Sequence, residues 1–393
     1  MARATYAGFL LALLGCTAPP GAILLVRDAG SDAAVLRWKG GAATGDRVVA
    51  RVGPDGATRW AADVGGGPTG EEAMAADAGS PWVVRSDPPA LRAIEAATGG
   101  DAWTWSAPAG ADPRFLLDGG SVYVWWDGAI ARLDRATGAE TWRRELPAME
   151  GPDAAPTLGG VVVGDLRSAV LFDAAGTERL RAATYPDARC ATAAGLVWTD
   201  PEQSSWLYGA AGARVPVAVE GRVRHGGGTY AGRAIVPVSA GGVARVASIG
   251  PDGSVGWSVD LAAGAHVALD DAAEWPVHVP FVVEGDGGRQ LVYVDVAEGR
   301  VLQVGAATDG LAAAGRVAVG PASVIVSRQV LLRLGEGAHA EAVRLPGVET
   351  QAPAARVGAT GAWIVEDHAT RQIAWTSSGI ERLDAADLAR LGL

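Results

Sequence analysis

Few side chains in this 393-residue sequence have the type and spacing to do chemistry. His225-Gly226-Gly227-Gly228 could present the backbone N–H donors of an oxyanion hole for acyl transfer. No Gly-x-Ser-x-Gly elbow offers a nucleophile and no strand–helix alternation surrounds it, so this stretch reads as a flexible loop. His266 and His278 are too far apart for a metal pair and have no cysteine or second histidine pair beside them. Asp270, Asp271 and Glu274 form one acidic cluster and Glu284 with Asp286 another. Neither has the spaced aspartates of a calcium loop, and both read as solvated loop charge. Cys190 lies in an apolar run with no histidine near it in sequence to activate it, which reads as a buried thiol. No catalytic, cofactor-binding or metal-binding set is assembled, and none is assigned.

The other cysteine has a clearer context. Arg3 precedes an apolar run from Tyr6 to Leu14, and Leu13-Leu14-Gly15-Cys16 follows. The run is too short to span a bilayer, and its end resembles the bacterial lipobox cleaved before cysteine. Residues 1–15 are therefore expected to be a lipoprotein signal peptide, with Cys16 the lipidated first residue. Thr17 follows it where lipoprotein sorting signals place aspartate for inner-membrane retention, which points to the outer membrane. Residues 16–22, with Pro19 and Pro20, form a short tether, and residues 23–393 are expected to form one folded body.

The elements that must position any site come from one repeated pattern. In A-I-A-R-L-D-R-A-T-G-A-E-T-W, Ala129 to Trp142, an apolar strand leads through a turn glycine to a second strand carrying tryptophan. The glycine-to-tryptophan offset of four recurs at Gly56 and Trp60, Gly99 and Trp103, Gly138 and Trp142, and Gly253 and Trp257. Weaker copies run from Gly176 to Leu180, Gly212 to Pro216, Gly299 to Gln303 and Gly379 to Leu383, and Gly337 fits the same layout. A repeat of about forty residues belongs to propellers and solenoids. A tryptophan facing the neighbouring sheet buries roughly 150–250 Å², enough to dominate sheet-on-sheet packing. Each unit supplies three clear strands, such as Val122–Trp125, Ile130–Asp134 and Thr141–Glu145, and a vaguer fourth at Phe115–Leu117. The sequence thus predicts an all-β propeller of four-stranded antiparallel blades. Unit boundaries are placed near Gly65, Gly110, Ala148, Thr184, Gly221, Gly264, Ala307 and Gly347, and only Asp384 to Leu393 reads as helical. Nine turn glycines fit eight blades if the first and last units share one. Eight is the favoured count, with nine open and seven less favoured.

A-I-E-A-A-T-G-G-D-A-W, Ala93 to Trp103, and R-L-D-R-A-T-G-A-E-T-W, Arg132 to Trp142, resemble the tryptophan-docking repeat of the PQQ-like β-propeller superfamily. That superfamily includes quinoprotein dehydrogenases and non-catalytic propellers such as the lipoprotein of the outer-membrane barrel-assembly machine, so the fold does not settle the chemistry. The resemblance implies that a quinoprotein would hold PQQ and calcium with a vicinal disulfide, an asparagine and acidic ligands. This sequence has no asparagine, and its two cysteines, Cys16 and Cys190, are not adjacent.

The net charge of −11 argues against nucleic acid as a partner. Trp125 and Trp126 are consecutive on one strand and point to opposite faces, a core role between stacked blades. Trp206 and Trp275 are placed in loops or at strand ends, where an exposed tryptophan could anchor a partner. The expected function is a non-catalytic, monomeric, lipid-anchored propeller of the bacterial envelope. It would face the periplasm and scaffold envelope proteins, with the barrel-assembly complex the resemblance-based choice. The rival readings are a quinoprotein-type cofactor binder or enzyme, and a lipoprotein binding glycan or a surface protein.

Overall fold

Short apolar runs broken by glycine turns become, in the computed structural model of the chain, a succession of antiparallel sheets. The structure describes residues 23–304 except positions 30, 41–44, 54–55, 69–72, 88, 158–159, 166, 184–188, 193–194, 200–203, 209–213, 225–226, 264–265, 269–276 and 286–287, and beyond 304 it describes eight strands. The expected signal peptide, the tether with Cys16 and the expected helical tail lie outside the described residues.

The first sheet contains β1 (Ile23–Ala29), β2 (Asp32–Trp38), β3 (Arg47–Val52) and β4 (Thr58–Gly65), in that spatial order. The second contains β5 (Met74–Ala75), β6 (Trp82–Ser86), β7 (Ala90–Ile94) and β8 (Asp101–Ser106). The third contains β9 (Arg114–Asp118), β10 (Ser121–Trp126), β11 (Ala129–Asp134) and β12 (Glu140–Glu145). The same four-stranded meander repeats over 153–183, 189–217 and 266–304; five-stranded sheets occupy 222–263, where the strands Arg222–Val223 and Gly228–Tyr230 both pair with Arg233–Ala240, and 317–344 with Glu381–Leu383, and a three-stranded sheet occupies 355–374. The expected boundaries at Gly110, Ala148 and Gly221 fall between successive sheets and Gly65 ends β4, whereas Thr184, Gly264, Ala307 and Gly347 lie outside the described residues.

The described strands are all β and contain no α-helix, and their four-stranded antiparallel sheets are propeller blades. No helix of the described residues is long and apolar enough to cross a membrane. Nine sheets are present among the described strands, consistent with an expectation of eight blades that left nine open. The sharing of strands between first and last units, offered as the reason for eight, is not seen in these strands. The first sheet is already complete from β1 to β4, and the last described strand, Glu381–Leu383, pairs with Ala340–Arg344 instead.

The chain divides into two compact units, Met1–Arg143 with Pro353–Thr376, and Arg144–Ala352 with Ser377–Leu393. Within the first, β10 reads S-V-Y-V-W-W and is buried at every position, so Trp125 and Trp126 are covered on opposite faces. Such a continuous apolar run is what a strand between two layers requires. By contrast β12 reads E-T-W-R-R-E and buries only Trp142. The core between the second and third sheets joins Val83, Leu91 and Trp103 to Val122, Val124 and Leu133. Leu36, Val49 and Val64 likewise meet Met74, Trp82 and Val84 between the first and second. In the second unit, Ile235, Val246 and Leu261 pack against Phe281, Val292 and Val294. Each such aliphatic or aromatic side chain contributes about 1.5–3 kcal/mol by leaving water.

Candidate functional site

The turn glycines take the backbone that the sequence pattern demands. Gly56, Gly99, Gly138, Gly176, Gly253 and Gly299 all have positive φ, between 67° and 79°. In the third sheet, the Gly138 N–H donates to the Asp134 carbonyl at 2.8 Å, while the Asp134 carboxylate accepts from the Thr137 N–H and hydroxyl. These donors hold the Asp134 carboxyl below its usual range, the Thr137 hydroxyl most of all. The strand after the turn then gains one extra residue. Arg59, Ala102 and Gly256 are the bulged positions just before Trp60, Trp103 and Trp257. A bulge re-aims the side chain that follows it.

Each re-aimed tryptophan lies on the turn glycine of the next sheet. A Cβ placed on Gly99 would lie 2.7 Å from the Trp60 ring, and one on Gly138 would lie 2.6 Å from the Trp103 ring. Gly299 meets Trp257 in the same way, and Gly253 meets the Pro216 carbonyl in a unit where proline replaces the tryptophan. The indole N–H completes the contact: Trp60 donates to the Ala96 carbonyl at 2.9 Å and Trp103 to the Arg135 carbonyl at 2.7 Å. Glycine is thus needed at these turns both for φ and for ring clearance. The Trp142 ring is buried and 6.0 Å from Tyr123.

Arginines form a second set of links that the sequence pattern did not reveal. Arg47, fully buried at the start of β3, donates to the carbonyls of Gly65, Gly66, Pro68 and Arg85. Burial, and then the neighbouring Arg85 charge, lower its pKa to about 10. Arg135 binds Asp77 through both oxygens at 2.7 and 2.8 Å and reaches the carbonyls of Pro81 and Gly119. Those guanidinium bonds hold the Asp77 carboxyl below its usual range. The only hint in sequence is a charged residue at the edge of an apolar strand, and that does not identify carbonyl acceptors tens of residues away.

One opening in the first unit lies among the first strands of three sheets. A cavity of about 320 Å³ is walled by Arg27 of β1, Met74 and Ala75 of β5, Asp77 just beyond it, and Phe115 and Leu117 of β9. The Arg27 Nε donates to the Met74 carbonyl at 3.3 Å. Phe115 is buried, whereas Leu116 and Leu117 are only half-buried. Beside this wall, burial raises the Asp118 carboxyl above its usual range. The cavity combines a mostly apolar floor with one guanidinium and one ion-paired carboxylate, a composition suited to binding.

The other candidates are dispersed. Gly227 and Gly228 are buried, while His225 and Gly226 fall outside the described residues, as do Asp270, Asp271, Glu274, Trp275 and Asp286. Glu284 and His266 lie on strands whose side chains at these positions are not described, and so does Cys190, on Arg189–Thr192. His278 stands 4.0 Å from Asp295. Trp206 was expected in a loop or at a strand end, but it is inside the strand Ser205–Tyr208, opposite Trp198 and Pro216. The Arg214 guanidinium lies 3.4 Å from its ring centroid, so this tryptophan stacks on its own sheet.

Residues 45–194 match the family model PQQ_2, described as "Outer membrane protein assembly factor BamB". A search of curated proteins finds no match. Among solved structures, BamB from Moraxella catarrhalis is similar at 14% identity and a TM-score of 0.37, covering 66% of this chain and 82% of that one. AztD from Citrobacter koseri is similar at 14% identity and 0.44, covering 85% and 94%. The Pan2 WD40 domain from Neurospora crassa is similar at 10% identity and 0.44, covering 91% and 90%.

Proposed function

We propose that this chain is a propeller of the PQQ-like kind and a non-catalytic, lipid-anchored scaffold that holds protein partners in outer-membrane protein assembly. The observation that carries this reading is the match of residues 45–194 to the assembly-factor family. The packing supports it. Trp60, Trp103 and Trp257 dock on neighbouring turns and Arg47 and Arg135 fasten loops, a use of residues that makes a stiff platform. Leu13-Leu14-Gly15-Cys16 supports anchoring through lipid on Cys16. A tether ending near Ala22 would hold the platform within about 20 Å of the outer membrane, on its periplasmic side.

The test is affinity purification from crosslinked native envelope, with a Cys16→Ala control and mass spectrometry of the proteins recovered. Barrel-assembly proteins should accompany the wild-type chain and fall away with Cys16→Ala. The reading fails if no envelope protein is enriched while a small cofactor or a glycan is.

A further inference from the structure

The sheet over 317–344 runs through a fourth strand, Ala340–Arg344, and then carries a fifth, Glu381–Leu383, on its outer edge. The pairing is antiparallel, with Leu383 opposite Ala342, Arg382 opposite Val343 and Glu381 opposite Arg344. By contrast, the sheets over 23–65, 74–106, 114–145, 153–183, 189–217 and 266–304 end at their fourth strand. The added strand follows the sheet over 355–374 in sequence, and that sheet has three strands among the described residues. Its Leu383 keeps the four-residue spacing from Gly379 that marks the fourth strand of its own unit. The outer edge of Ala340–Arg344 thus takes a strand that the repeat assigns to a different sheet.

A sheet edge recognises an extended backbone through main-chain N–H and C=O groups, and cross-strand residue pairs set the register. In this register an acidic residue stands opposite Arg344, and a large apolar residue two positions later stands opposite the small Ala342. The added strand is three residues long, so it makes few ladder bonds. What holds it is the chain itself, which tethers it at an effective concentration in the millimolar range. We propose that the outer edge of Ala340–Arg344 is the docking edge for an extended segment of a protein partner, with an acidic residue opposite Arg344 and an apolar residue two positions later, and that Glu381–Leu383 is an internal mimic of that segment, displaced when the partner docks. The proposal rests on the scaffold reading and gives that scaffold a place and a recognition chemistry.

The probe is a fluorescein-labelled peptide with the sequence of residues 378–386, its binding to the detergent-solubilised full chain read by anisotropy. Two variants set the edge open or shut. Arg382→Pro removes an N–H from the internal strand and restricts its backbone, which frees the edge. Val343→Cys with Arg382→Cys puts two thiols at opposed positions, and their disulfide, assigned by peptide mapping, locks the strand in place. Thermal midpoints verify that each variant is folded. Arg382→Pro should bind the peptide about tenfold or more tightly than wild type does. The oxidised cysteine pair should not bind it, and reduction should restore the wild-type level. A peptide carrying Glu381→Arg should bind the Arg382→Pro chain about two- to fivefold more weakly, and adding Arg344→Glu to that chain should reverse the preference. A cysteine pair that does not oxidise in the folded chain, an Arg382→Pro chain that binds no better than wild type, or a charge-reversed peptide that binds equally well overturns the docking edge. If envelope proteins co-purify equally with the oxidised and reduced cysteine pair, the scaffold reading stands and only the docking edge is lost.

Discussion

Two glycines of the third sheet separate backbone strain from tryptophan docking. Gly128, in the turn between β10 and β11, has φ +79°, and a Cβ there would meet nothing within 4 Å. Gly138, between β11 and β12, has φ +70°, and its Cβ would lie 2.6 Å from Trp103 Cδ2 and 2.8 Å from Cγ and Cε3. Gly128→Ala should therefore show the left-handed strain alone, about 1–2 kcal/mol. Gly138→Ala adds overpacking against the middle of a buried ring, about 1–3 kcal/mol. Displacing the ring also stretches the 2.7 Å bond from its N–H to the Arg135 carbonyl, about 1 kcal/mol more. The expected losses are about 1–2 kcal/mol for Gly128→Ala and about 3–6 kcal/mol for Gly138→Ala. Urea titration followed by tryptophan fluorescence measures both as shifts in midpoint. Repeating the pair in a Trp103→Ala background should close the gap, because the ring that the new methyl strikes is gone. Equal losses in the parent, or a gap that persists without Trp103, would refute the assignment of this turn to docking.

Three further expectations follow from the same geometry. Arg47→Met leaves the carbonyls of Gly65, Gly66, Pro68 and Arg85 short of a donor and should cost about 3 kcal/mol or more, whereas Arg92→Met, removing exposed bonds to Asp101 and to the Asp63 carbonyl, should cost about 1 kcal/mol or less in the same urea assay. Because Arg135 depresses the folded Asp77 pKa, the stabilisation it confers is present above about pH 4 and is lost as pH falls through the lower folded value. Thermal midpoints of wild type and Asp77→Asn should therefore differ at pH 6 and converge toward pH 2. Trp60→Phe keeps a ring over Gly99 but loses the N–H donated to the Ala96 carbonyl, and should cost about 1 kcal/mol, less than Gly99→Ala, by urea midpoint.

The blades were legible because their markers are chemically singular. Glycine at positive φ and tryptophan four residues later have few substitutes, so Gly99 with Trp103 and Gly138 with Trp142 were visible as repeats without any structure. The partner of each tryptophan was not visible. Trp103 lies in the strand that follows Gly99 yet rests on Gly138, because the bulge at Ala102 turns it toward the next sheet, and a bulge has no residue code of its own here. Arg47 was illegible for a related reason. Its acceptors are backbone carbonyls, which every residue carries, so the identities of Gly65, Gly66 and Arg85 could not advertise them. Trp206 misled because its surroundings read as turn-rich, whereas Arg214 folds back over its ring and makes it part of a strand pair.

The vagueness of the first strand in each unit has a physical cause that also bears on function. In the second sheet β5 has only two residues, Met74 and Ala75, paired with Val84 and Val83, while β6 and β7 are buried almost throughout. In the third, β10 is buried at every position, whereas β9 leaves Leu116, Leu117 and Asp118 partly open. Most of the apolar burial thus falls on the second and third strands, while the outer strands hold single buried anchors such as Met74 on β5, Phe115 on β9 and Trp142 on β12. A position that contributes little to packing can change residue type at little cost in stability, which weakens its periodicity in the sequence. The same freedom lets Arg27, Asp77 and Leu117 meet around one cavity in the first unit without disturbing the glycine–tryptophan frame that supports them. The first strands of these sheets are therefore the part that sequence pattern reads least well, because packing fixes few of their positions.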